Sequence, residues 1–158
     1  FSQLWSHLIK IKRNPTIPQK FTLGIFFTGI AFFILYLGIQ LCSQKQHISP
    51  IIFISFALCI TIGELLISPI GLSMITELCP DHLKSTMMGI WFFALSFGFS
   101  LGGHLSSLSD IPKYCTPAES LSIYQHAFFI ESLLAIGFSA LCWMLSPRIQ
   151  SLILRAQP

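Results

Sequence analysis

Charge is what this sequence has least of. Asp, Glu, Lys and Arg together make up 9% of its 158 residues, against roughly a quarter in an ordinary soluble domain. A water-soluble globule of this length needs a polar coat around its core, and there are too few charges here to make one. With 53% hydrophobic residues and a mean hydropathy of +0.74, the chain reads as membrane-embedded.

Other absences narrow the function. The net charge of +3 is too small for a nucleic-acid surface, and no basic–aromatic stripe accompanies it. The five cysteines (Cys42, Cys59, Cys79, Cys115 and Cys142) form no C-x-x-C pair and have no metal-like spacing, which argues against a disulfide framework. Most lie in or beside apolar runs, where a free thiol behaves as a small hydrophobe. There is no Ser-His-Asp arrangement, no HExxH and no P-loop, so neither an enzyme nor a bound metal or cofactor is expected. The opening FSQLWSHLIKIKR is apolar and then basic, the reverse of a secretory signal peptide. Phe1 is read as the middle or late part of a helix that begins before this sequence.

What the chain does have is long apolar runs. Four stand out, over about 21–42, 50–77, 85–109 and 122–146. Each reaches the ~20 residues that cross a ~30 Å hydrocarbon core. Lipid offers the backbone no hydrogen bonds, so such runs must be helical. The expectation is an all-α polytopic membrane protein with four complete transmembrane helices and the end of a fifth at the N-terminus. The connectors are short and polar at 43–49 and 79–84. A longer ordered loop is expected at 110–121, containing Pro112 and Pro117, and Pro147 is expected to end the last helix.

Charge then gives orientation. One side of the membrane receives Lys10, Lys12, Arg13, Lys20, Lys84, Arg148 and Arg155, and the other only Lys45 and Lys113. Seven against two is a positive-inside bias. It assigns the N-terminal segment, the 79–84 connector and the C-terminus to the cytoplasm.

Glu64 is the most informative residue. It is the only charge between Pro50 and Thr76 and lies near the middle of that run. A carboxylate at the bilayer centre costs roughly 2.5–3.5 kcal/mol on insertion scales, so it must meet water, a cation or a proton. Those are properties of a transport site; the plainer alternative is a structural glutamate hydrogen-bonded to a neighbouring helix. Ser68 projects from the same face one turn later. Pro69 removes a backbone donor and clashes with the Leu65 carbonyl, predicting a kink, and Gly71 adds freedom there. A kinked midplane helix beside an acid suits a ligand cavity or a gate.

Three further features carry weaker signals. Trp91 and Phe92 are candidate walls of a ligand pocket, although a belt tryptophan at the interface is the plainer account of Trp91. Gly98 and Gly102 form a G-x-x-x-G pair suited to close helix packing. Glu131, nine residues into the last apolar run and placed toward the outer half, is as compatible with a structural role as with proton relay. His104 and His126 lie near the external boundary, where hydrogen bonding at the interface is the simpler reading.

The segment GELLISPIGLSMITELCPDHLKSTMMGIWFF resembles the proton-dependent oligopeptide transporter family of the major facilitator superfamily. That family shows a G-E-x-x-x-S-x-x-G-L-S helix, a P-x-x-x-x loop and then M-M-G-x-W-F. These elements stand here as Gly63, Glu64, Ser68, Gly71, Leu72, Ser73, Pro80, Met87, Met88, Gly89, Trp91 and Phe92. NPTIPQKFTLG resembles the entry to the family's ninth helix, and YQHAFFIESLL followed by LSPRI resembles its twelfth. The resemblance implies the C-terminal part of a twelve-helix transporter that carries di- and tripeptides inward with protons as the coupling ion. It implies that Glu64 pairs with the peptide α-amino group, that Ser68 lines the cavity, and that Trp91 and Phe92 wall a side-chain pocket. Glu64 would alternate between the peptide and a lysine of the N-terminal half. The family's E-x-x-E-R motif is absent, and a cavity built between two halves needs both, so this chain alone is expected not to transport.

The rival readings are a related carrier of nitrate, amino-acid conjugates or drugs, a four-helix membrane scaffold, and a remnant without function. An acid at position 64 disfavours an anionic substrate. A scaffold gains nothing from the cost of a midplane acid.

Overall fold

A computed structural model describes residues 15–42, 49–110 and 116–156. It contains four long helices: α1 (Ile17–Cys42), α2 (Pro50–Leu78), α3 (Lys84–Ser106) and α4 (Pro117–Ala156). Short 3₁₀ turns, Asp81–Leu83 and Ser107–Ser109, sit before and after α3. All four helices are long and apolar enough to cross a membrane, so the chain is an all-α polytopic membrane protein. The expected end of a further helix at the N-terminus lies outside the described residues.

Both α1 and α4 open with the same local device. Thr16-Ile-Pro-Gln19 and Thr116-Pro-Ala-Glu119 each place a threonine at the N-cap, a proline in the first turn and an amide or acid three residues after the cap. That is the capping-box pattern, with proline where its missing N–H costs nothing. In α4 the box closes in both directions: the Glu119 carboxylate accepts from the Thr116 backbone N–H at 2.8 Å and from its hydroxyl at 2.7 Å, and the Glu119 N–H donates back at 3.4 Å. In α1 the Thr16 N–H donates to Gln19 Oε1 at 2.9 Å, while Thr16 Oγ1 is buried without a partner among the described residues.

These caps correct the expected boundaries. The loop anticipated at 110–121 gives way to helix at Pro117, because a proline at the first helical position starts a helix. Pro147 does not end α4, which continues to Ala156. Proline removes one backbone donor and opens one turn, but the helix is held on both sides of that gap. Buried Ser146 precedes it, and half-buried Gln150 follows against the start of α1. A hollow of about 650 Å³ lined by Thr16, Gln19, Trp143, Pro147 and Gln150 marks the place.

Helix α1 is the centre of the bundle, with α2 and α4 packed along it and α3 touching more sparingly. Small residues set the α1–α4 contact. Ser132 Oγ donates to the Gly29 carbonyl and Ser139 Oγ to the Thr22 carbonyl, each at 3.1 Å. Ser132, Ser139 and Ser146, all buried, recur every seven residues and form a serine seam of heptad period. A Cβ on Gly29 would stand 2.7 Å from Ile136 Cγ1, so only glycine admits that side chain.

On its other flank α1 meets α2 through glycines at two levels. A Cβ on Gly38 would meet Ile52 Cγ2 at 2.6 Å, and one on Gly24 would meet Ile67 Cγ1 at 2.6 Å and the Gly63 carbonyl oxygen at 2.9 Å. Between those levels Phe32 of α1 joins the helices, its ring centroid 5.8 Å from Phe56 of α2 and 6.2 Å from Phe128 of α4. In α3 no described residue is buried. Gly98 and Gly102, expected to serve helix packing, have open space where a Cβ would be. Close packing runs instead through Gly24, Gly29, Gly38, Gly63 and the α4 serines.

Candidate functional site around Glu64

Helix α2 carries the central acid at its midpoint. Glu64 is fourteen residues from Pro50 (64 − 50) and fourteen from Leu78 (78 − 64), about 21 Å from either end at 1.5 Å per residue. Its direction is set by the residue before it. A Cβ on Gly63 would stand 2.9 Å from the Gly24 carbonyl oxygen and 3.0 Å from Thr28 Oγ1, so the two backbones are nearly in contact there. Successive helical residues point about 100° apart. With Gly63 pressed on α1, Glu64 turns away from it and is exposed, as is Ser68 one turn on.

Neither Glu64 nor Ser68 makes a side-chain hydrogen bond or ion pair among the described residues; an ion pair joins Lys84 Nζ to Asp81 at 2.7 Å, in the turn before α3. An unpaired carboxylate at the middle of an apolar helix has a strong drive to find a cation, water or a proton. Pro69 lies inside α2, which runs on to Leu78 through it.

Gly71 is seven residues beyond Glu64, two turns along the same face. The Trp91 indole occupies the space a side chain at Gly71 would need. Trp91 also meets Phe21 of α1 edge to face, with ring centroids 6.1 Å apart. Together with Phe21, Thr22, Met74, Cys142 and Ile149 it lines an apolar hollow of about 230 Å³. Trp91 therefore stands roughly 10 Å from Glu64 along α2, toward the 79–84 connector. Phe92, one residue along α3, is 54% exposed. The two aromatics expected to wall one pocket occupy different faces of α3, so the structure joins Trp91 but not Phe92 to the Glu64 face.

Glu131 is placed by its neighbours. Ser132 is bonded to Gly29, which is twelve residues from Ile17 (29 − 17) and thirteen from Cys42 (42 − 29). Glu131 itself is fourteen residues from Pro117 (131 − 117) and twenty-five from Ala156 (156 − 131), in the N-terminal half of α4.

Comparison with known proteins decides the family: the model of the POT family matches residues 1–121. The chain belongs to the POT family. Among its POT relatives, "Dipeptide and tripeptide permease B" of Salmonella typhimurium is 31% identical over 142 residues, covering 89% of this chain and 29% of the relative. "Dipeptide and tripeptide permease A" of Klebsiella pneumoniae is 32% identical over 135 residues, covering 84% of this chain and 27% of the relative. "Peptide transporter YePEPT" of Yersinia enterocolitica subsp. palearctica is 36% identical over 113 residues, covering 68% and 22%. The chain spans about three tenths of the length of the first permeases it matches, 29% and 31% of two of them.

Proposed function

We propose that this chain is the C-terminal part of a proton-coupled symporter of di- and tripeptides in a bacterial cytoplasmic membrane. It would supply the end of helix eight and helices nine to twelve of a twelve-helix major facilitator fold, with its C-terminus in the cytoplasm. The observation that carries this reading is the placement of Glu64: at the midpoint of α2, exposed, and directed off α1 by the Gly24–Gly63 contact. A carboxylate there suits a peptide α-amino group and repels a nitrate-like anion. The permease names of the relatives point to the same substrates.

Residue roles follow from that placement. Glu64 receives the ammonium end of the peptide, or a lysine of the N-terminal half when no peptide is bound. Ser68 offers a hydroxyl on the same face. Trp91 closes that face on the side of the 79–84 connector, which the positive-inside count assigns to the cytoplasm. Pro69, without a backbone donor, and Gly71, seated on the indole, give α2 a place to bend. The other wall of the cavity belongs to the N-terminal half, so the chain expressed alone should take up no peptide.

The test is Glu64→Gln in the full-length transporter. Peptide uptake should fall to background while the protein still inserts and reaches the membrane in normal amount. Uptake at the parent level would remove Glu64 from the substrate site.

A further inference from the structure

Helix α4 carries a second acid that the peptide site does not use. Glu131 is the only charged residue between Ser122 and Ser146 and is half-buried. On the ruler provided by α1, it lies beside Gly29 through the Ser132 bond, and Glu64 lies beside Gly24 and Thr28 through Gly63. Gly29 also backs onto the Ile136 N, 3.1 Å from where its Cβ would be, and Ile136 is five residues from Glu131 (136 − 131). The two acids are thus up to roughly 15 Å apart in rise, on the two helices that flank α1.

They also turn to the same side of α1. Glu64 shares a face of α2 with Gly71, seven residues on, and Glu131 shares a face of α4 with Cys142, eleven residues or about three turns on. Trp91 of α3 touches both faces: it fills the space over Gly71, and it lines one hollow with Cys142 and Met74. From the indole, the two faces rise on either side to the two carboxylates.

The titratable groups around Glu131 are few. On its own face stand Tyr124, whose ring stacks on Phe128 at 6.0 Å, and Cys142; His126 lies on another face. Helix α1 offers Lys20, Tyr36 and Cys42. From the level of Gly29, Lys20 is nine residues and Tyr36 seven residues distant, roughly 13 and 10 Å. Tyr36 is engaged with Phe129, ring centroids 5.1 Å apart. Helix α3 offers Lys84 and His104 near its two ends, and the Ser107–Ser109 turn that packs on α4 offers none. Helix α2 offers Cys59, Glu64 and, at its C-terminal end, Glu77. No hydrogen bond or ion pair engages the Glu131 side chain among the described residues.

A half-buried carboxyl in an apolar helix with no cation beside it among the described residues has its desolvation relieved by water or a proton. We propose that Glu131 is a proton-binding site of the transporter, on the same side of α1 as Glu64. The proton arrives from water on one side of the membrane, forms an O–H bond on a Glu131 carboxylate oxygen, and returns to water on the other side. No other bond changes. This rests on the reading of the chain as part of a proton-coupled transporter.

The test uses the full-length transporter in phosphatidylcholine vesicles, followed by infrared difference spectroscopy between about pH 5 and about pH 9. A carboxylic-acid C=O band that grows as the pH falls should be lost in Glu131→Gln and return, shifted, in Glu131→Asp, which also controls for folding. In parallel, the pH midpoint of peptide uptake should move by about one unit in Glu131→Gln. A band that survives Glu131→Gln overturns the proposal, and so does loss of the band with an unmoved midpoint. A parent that takes up no peptide would instead refute the substrate reading, and the infrared band alone would then decide the fate of Glu131.

Discussion

The surfaces of α1 and of α3 are built from similar residues and behave in opposite ways. Both helices are apolar, rich in phenylalanine and dotted with glycine. Gly24, Gly29 and Gly38 of α1 are each pressed by a neighbouring helix, whereas Gly98, Gly102 and Gly103 of α3 face open space. The core residues Ala31, Leu35 and Ile39 all belong to α1, while Phe93 and Phe99 of α3 are 74% and 78% exposed. Hydropathy does not predict the difference from lipid exposure, since the buried α1 is the more apolar of the two and the exposed α3 the less. The difference lies in whether a glycine or serine on one helix is matched by a projection on the next, which is how helices associate where burial from water supplies no drive.

Identical substitutions on the two helices' sides of this contrast provide the sharpest test. Gly63→Ala places a methyl group against a backbone carbonyl that cannot swing away, and overpacking of this kind costs about 1–3 kcal/mol. Steric-trap unfolding in bicelles should show that loss. Thr116→Ala removes the cap that starts α4 and should cost about 1 kcal/mol, read as faster amide exchange in the turn at Ser120. Ser139→Ala deletes one bond of the serine seam and should cost about 0.6 kcal/mol, the usual size for such bonds in bilayers, by the same bicelle measurement. Gly98→Ala in this chain should cost nothing, since a Cβ there touches nothing. An equal loss from Gly98→Ala and Gly63→Ala would erase the distinction between the packed surface of α1, on which Gly63 sits, and the open surface of α3.

Much of this architecture is legible by counting. Helix number follows from run length, because a lipid-exposed backbone has no alternative to the helix. The central depth of Glu64 follows from its distance to either end of its run. Which way Glu64 points is another matter, since it depends on Gly63 meeting Gly24 across thirty-nine residues of sequence (63 − 24), a pairing no single run contains. Trp91 and Phe92 stand together in the M-M-G-x-W-F motif, yet adjacency on a helix separates side chains by about 100°.

Two local signals in the sequence mark features of the structure. T-I-P-Q and T-P-A-E are both capping boxes, and the second marks the start of α4 at Pro117. The seven-residue recurrence of Ser132, Ser139 and Ser146 also marks the α1-facing seam, whereas the G-x-x-x-G pair of α3 drew attention to a surface that is bare here.

The contact between Gly24 and Gly63 has a mechanical consequence. The main chains meet there with only Thr28 and Ile67 side chains beside them, so changing rotamers offers the two helices little room to ratchet past each other. Any tilt that swings the α2 carboxylate from one side of the membrane toward the other must drag α1 with it, and the serine bonds then pull α4 along. The three helices would swing as one plate.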